Sequence, residues 1–133
     1  MRNQKTIPIF YTCDNDNVGS TLASLRSLIK KRDKSYNYSV CILHNGINKS
    51  NMKKVFDLTE RGFDITLEDM STYTANDNIK ISFSSDFVRA FIPEMFPGYA
   101  KSILVSSDYV ASEDISAYFE NASQNTSLFR IGC

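Results

Sequence analysis

Three short polar clusters carry the residue types that could do chemistry in this sequence: Asp14-Asn15-Asp16-Asn17, His44-Asn45-Gly46 and Ser106-Ser107-Asp108. In the first, carboxylates and amides can accept from the ring N–H of a base or from ribose hydroxyls. The same residues are also turn formers that cap a following helix through Asp16 or Asn17, and both readings stay open. Asp108 taken alone supports either a turn or a metal contact, since a hard cation takes several oxygen ligands. His44, the one histidine, has no cysteine or serine arrangement beside it that suggests nucleophilic catalysis, and it reads as a turn residue. Gly19 stands alone in Asp-Asn-Asp-Asn-Val-Gly, so a Gly-rich phosphate loop is missing and dinucleotide-binding and phosphate-loop readings fall away.

The elements that must position these clusters alternate along the chain. The apolar run Ile7-Pro8-Ile9-Phe10-Tyr11 predicts a buried strand that ends at the first cluster. Val18, Leu22, Leu25, Leu28 and Ile29 then mark one stripe of a helix closing in Lys30-Lys31-Arg32, where cations suit the helix dipole. Tyr38 to Leu43 predicts a second strand, and Ser50 is placed to cap a helix bearing Met52, Val55 and Phe56 that Gly62 ends. Phe63 to Leu67 is the third strand, and the polar stretch Glu68 to Asn78 reads as a loop. Helical spacing returns at Phe83, Phe87, Ala90 and Phe91 until Pro93 and Pro97 break it. Ser102 to Val105 is the fourth strand, Ser112-Glu113-Asp114 opens a short helix with Ile115, Tyr118 and Phe119, and Ser127 to Ile131 is the fifth strand. Tyr36, Tyr38 and the phenylalanines of the third helix read as core rather than as a stacking platform.

Continuous apolar strands alternating with helices predict an α/β fold, a Rossmann-like, mostly parallel sheet with helices on both faces. Ligands of such sheets bind beyond the carboxyl ends of the strands, where the first and third clusters fall. The 133 residues read as a single domain, 1–133. Lys+Arg 15 balances Asp+Glu 15, and the basic runs are two or three residues long, which argues against a nucleic-acid partner. The apolar stretch after the charged N-terminus is too short for a signal core, and no segment approaches a membrane span. Cys13, Cys41 and Cys133 are odd in number and lack metal-ligand spacing, so they read as thiols in a reducing cytoplasm.

Taken in order, these residues resemble the family 8 glycosyltransferases, retaining enzymes of GT-A fold. The strand and loop Ile7 to Asn17, the Ser- and Leu-rich stretch Thr21 to Leu28, and Leu43-His44-Asn45-Gly46-Ile47 each match the family pattern. The most specific stretch is Arg89-Ala90-Phe91-Ile92-Pro93-Glu94-Met95-Phe96-Pro97, followed by Lys101-Ser102-Ile103-Leu104-Val105-Ser106-Ser107-Asp108-Tyr109-Val110. The resemblance implies a nucleotide-sugar-binding half that holds a UDP-sugar through the Thr12 backbone, Asp14, Asp16, Arg89 and Ser107. It also implies Mn²⁺ or Mg²⁺ at Asp108. Arg89 would lie near the sugar diphosphate, its alternative being an Asp86–Arg89 pair on one helix face.

Two departures accompany the match. Ser106 stands where the family has the first aspartate of Asp-x-Asp, so metal binding is expected to be weak or lost. The family fold also continues past the point where this sequence stops, adding the acceptor site and a late histidine. The expectation is a truncated or reduced form that does not glycosylate alone and self-associates through an exposed sheet edge. A non-catalytic nucleotide-sugar binder or structural remnant is the competing reading. A response-regulator-like domain would need an aspartate ending strand three and a lysine ending strand five, which Leu67-Glu68-Asp69 and Ile131-Gly132-Cys133 do not convincingly supply.

Overall fold

The computed structural model describes residues 5–13, 15–44, 46–70, 102–106, 109–111, 114–121 and 128–131. Its strands are β1 (Lys5–Cys13), β2 (Tyr36–His44), β3 (Phe63–Asp69), β4 (Ser102–Val105) and β5 (Leu128–Ile131), with helices α1 (Val18–Lys31), α2 (Lys49–Phe56) and α3 (Ser116–Asn121). The strands form one sheet in the order β3-β2-β1-β4-β5, and every pairing is parallel. The architecture is the expected α/β, Rossmann-like one. A response-regulator domain places strand three beside strand one; here β1 lies between β2 and β4, which removes that reading.

Position in the sheet explains the strand sequences. β1 has neighbours on both sides, and Ile7, Pro8, Ile9, Phe10 and Tyr11 are all buried, which is why its apolar run is continuous. β3, with one described neighbour, alternates buried Phe63 and Ile65 with exposed Asp64 and Thr66. On one face Ile7, Ile9, Tyr11, Tyr38, Val40, Ile42, Phe63 and Ile103 pack with Leu22, Leu25 and Leu28 of α1, Val55 of α2 and Phe119 of α3. Phe10, Leu43 and Leu104 point the other way along their strands and are buried too, so both faces are shielded from solvent. Each fully buried leucine or isoleucine here stabilises the fold by about 1.5–3 kcal/mol. Tyr38 is core, as expected, its ring 5.6 Å from that of Phe63.

Two buried polar residues on the apolar stripe of α1 have partners that make their burial tolerable. Ser24 and the Tyr11 hydroxyl share a hydrogen bond of 2.7 Å, and Thr21 Oγ1 donates to the Asn17 carbonyl at 3.0 Å. Lys30 and Lys31 do close the helix, and Arg32 is its C-cap.

Local expectations are corrected at several points. The cap of α2 is Asn48, not Ser50: its side chain accepts from the Asn51 N–H at 2.8 Å, while Ser50 lies inside the helix. Gly62 does not end α2, which stops at Phe56. It turns the chain into β3 at φ +82°, and its carbonyl accepts from the Tyr38 N–H at 2.8 Å. Glu68 and Asp69 belong to β3 rather than to a loop, because they pair in register with Leu43 and His44. The short helix begins at Ser116, after Asp114; Ser112 and Glu113 lie outside the described residues, as do the predicted helix around Phe83 to Phe91 and Pro93 and Pro97.

Candidate functional site at the carboxyl edge of the sheet

The parallel register aligns the strand ends. Thr12 lies beside Leu43, and Cys13, His44 and Asp69 stand abreast where β1, β2 and β3 finish. Ile9 and Phe10 pair with Ile103 and Leu104, so β4 runs beside β1 toward the same edge. The loop after β1 and the turn after β4 therefore leave from adjacent strand ends, at the crevice where chain order reverses. Just past β4 the Tyr109 N–H donates back to the Ser106 carbonyl at 3.0 Å.

Thr12 is half-buried, Asp16 is exposed, and Ser106 is half-buried at this edge. Asp14, Ser107, Asp108 and Arg89 lie outside the described residues. The Asn17 side chain does not cap α1: Asn17 is the N-cap residue and makes no side-chain cap bond. The first turn is instead closed through the Asn17 carbonyl, which accepts from the Thr21 N–H at 3.0 Å.

Two residues of the polar clusters shape this edge in ways that sequence patterning does not give. The Asn15 carboxamide oxygen accepts from the Asn48 N–H and from Asn51 Nδ2, each at 3.1 Å, and so ties the β1–α1 loop to the start of α2. His44 is the last residue of β2 and is buried, rather than being an exposed turn residue. Its Nδ1 accepts from the Gly46 N–H at 3.2 Å, and its carbonyl accepts from the Met70 N–H at 2.7 Å. No local signal marks the Asn15 contacts, because their partners lie 33 and 36 residues away.

Burial sets the electrostatics beneath the edge. The Tyr11 phenol is held well above its ordinary range by burial, and the Cys41 thiol is pushed up to about 11 by the same cause. Cys13 is buried, Cys41 is half-buried, and both are reduced thiols. Among the described residues no group of three His, Cys, Asp or Glu side chains is placed to hold a metal ion, and no helix is long and apolar enough to cross a membrane. At Ser106 the described donor is a neutral hydroxyl, which does not by itself make a shell for a hard cation. The arrangement offers backbone and side-chain acceptors to a polar ligand laid across β1 and β4.

Comparison with known proteins agrees with this geometry. The solved structure of the WbbM bifunctional glycosyltransferase superposes with a TM-score of 0.77 at 25% identity, over 90% of this chain and 22% of that one. GlyE of Streptococcus pneumoniae TIGR4 gives 0.64 at 21% identity, over 90% and 28% of the two chains. LgtC, solved with donor and acceptor sugar analogs, gives 0.60 at 12% identity, over 87% and 43%. The chain thus spans less than half the length of each of these. No curated protein matches it. Residues 8–129 match the sequence profile of Glycosyl transferase family 8, and the chain belongs to that family.

Proposed function

We propose that this family 8 domain binds a UDP-sugar across the carboxyl ends of β1 and β4 and, together with elements supplying an acceptor site, transfers the hexosyl group with retention. The observation that carries this reading is the parallel pairing of β1 with β4, which sets their carboxyl ends side by side, with the β1–α1 loop held in place by Asn15. In this reading the Thr12 backbone and the carboxylates of Asp14 and Asp16 receive uracil and ribose. A carboxylate that accepts from the ring N3–H selects uracil over cytosine, which lacks that donor. Arg89 offers its planar fork to the diphosphate, with Ser107 beside it. Asp108 would hold Mn²⁺ or Mg²⁺, which when bound offsets charge on the departing UDP. Ser106 withholds one anionic ligand from that ion. The domain is proposed to act as one unit over residues 1–133 in the cytoplasm and to self-associate through an exposed sheet edge.

Ser106 favours a second reading, a nucleotide-sugar binder without transfer activity. Calorimetric titration of UDP into the chain and into Asp14→Ala, Asp16→Ala and Arg89→Ala separates the possibilities. Weakened binding in these variants supports the site, whereas unchanged affinity in all three contradicts it. In Ser106→Asp, tighter Mn²⁺ binding supports a donor site intact but for one ligand; no gain favours the non-catalytic binder.

A further inference from the structure

The amino-terminal edge of the sheet, at the opposite end from the proposed nucleotide site, holds a cavity of about 320 Å³ lined by Arg32, Lys34, Tyr36, Asn37, Arg61 and Gly62. Among the described residues its lining has three cations and no carboxylate. We propose that this cavity is an oxyanion site that takes a phosphate group carried on a larger molecule.

Two tight turns build it. The Tyr36 N–H returns to the Asp33 carbonyl at 3.1 Å, and the Phe63 N–H returns to the Glu60 carbonyl at 2.9 Å. Each turn carries one exposed cation inside it, Lys34 in the first and Arg61 in the second. Between them Arg32 extends from the end of α1, its side chain only 11% exposed. Glu60 engages Nη2 at 3.0 Å, and Nη1 lies over Gly62, 2.8 Å from where a Cβ would stand. A glycine at φ +82° is thus what leaves room for the guanidinium.

Besides Glu60, two nearby carboxylates hold other partners. Asp33 accepts from the Ser35 N–H at 2.8 Å and from the Ser35 hydroxyl at 2.7 Å. Glu120 accepts from Lys5 and from the Tyr36 hydroxyl, each at 3.0 Å. A planar guanidinium fixed by Glu60, flanked by two cations on short turns, matches the charge and donor geometry of a phosphate. The volume exceeds that of a bare phosphate, and the Tyr36 and Asn37 side chains offer walls to whatever the phosphate is attached to. A soluble phosphorylated molecule and a phospholipid headgroup share this chemistry.

The test follows backbone amide shifts of the whole chain during titration with inorganic pyrophosphate at low ionic strength, alongside co-sedimentation with phosphatidylcholine vesicles containing phosphatidic acid. The comparison is the Lys34→Gln/Arg61→Gln double variant, whose changes lie on exposed turns and leave Arg32, Glu60 and Gly62 in place. Saturable shifts at Tyr36, Asn37 and Gly62, weakened about tenfold in the double variant, support the site. Vesicle binding lost in that variant assigns the phosphate to a headgroup; pyrophosphate binding without vesicle binding assigns it to a soluble molecule. Shifts centred on other lysines such as Lys53 and Lys54, unchanged affinity in the double variant, or no binding in either arm would overturn the proposal. UDP binding at the opposite edge is measured separately and should be the same in both proteins.

Discussion

Removing one oxygen atom from Tyr38 should weaken the whole fold. The Tyr38 hydroxyl accepts from the Asp33 N–H at 2.9 Å and donates to Asp114 Oδ1 at 2.6 Å, so it joins the end of α1, the start of β2 and the approach to α3. Tyr38→Phe keeps the buried ring and its contact with Phe63, and therefore opens no cavity. A hydrogen bond to a carboxylate is worth about 1.5–3 kcal/mol and a neutral one about 1 kcal/mol. Both bonds are only partly buried, and water will replace some of each, so the expected loss is about 2 kcal/mol. For a chain of this length that lowers Tm by about 6–10 °C. Urea denaturation at pH 7 measures it. The Tyr38 phenol is held well above its ordinary value, first by burial and then by its bond to Asp114. A raised folded-state value means that the stabilisation is complete below the unfolded value near 10 and is lost as pH climbs toward the folded one. The gap between wild type and variant should therefore shrink above pH 10. A loss under about 0.5 kcal/mol at pH 7, or a gap that does not change between pH 9 and 11, would refute the reasoning.

Three further outcomes follow from the same geometry. The Cys41 thiol, pushed up from 9.0 to about 11 by burial, contributes stability that is present below pH 9 and falls away toward pH 11. Cys41→Ala should flatten that decline by about 2 kcal/mol in alkaline unfolding curves. Gly62→Ala places a Cβ 2.8 Å from Arg32 Nη1 at φ +82° and should cost about 1–3 kcal/mol in a urea titration. Asn15→Ala removes the shared acceptor of the Asn48 N–H and Asn51 Nδ2; it should cost about 0.5–1 kcal/mol and speed amide exchange at Asn48.

The strands were legible where burial wrote itself into the sequence. The Ile7 to Tyr11 run announces a central parallel strand, and the Val18 to Ile29 stripe announces α1. Strand ends were less visible: Lys5, Thr6 and Asp69 are exposed and polar, yet they continue the ladders because backbone pairing does not need apolar side chains. Ser50 and Asn48 are both good caps by type, and Asn15, reaching across from the β1 loop, bonds the one that the structure uses. Gly62 signals a positive φ, but type alone does not say whether it ends a helix or starts a strand. At the candidate site, the ends of β1 and β4 are brought side by side by strand order, which local periodicity does not encode.

The most direct measurement is the melting temperature of this 133-residue chain with excess UDP, with and without Mn²⁺. A ligand that binds only the folded state at about 100 times its Kd adds about 2.7 kcal/mol of stability. A donor site at the carboxyl edge predicts a rise in Tm with UDP that grows when Mn²⁺ is present and is lost in Asp16→Ala. The same Tm with and without UDP, whether or not Mn²⁺ is added, would contradict nucleotide binding by this chain.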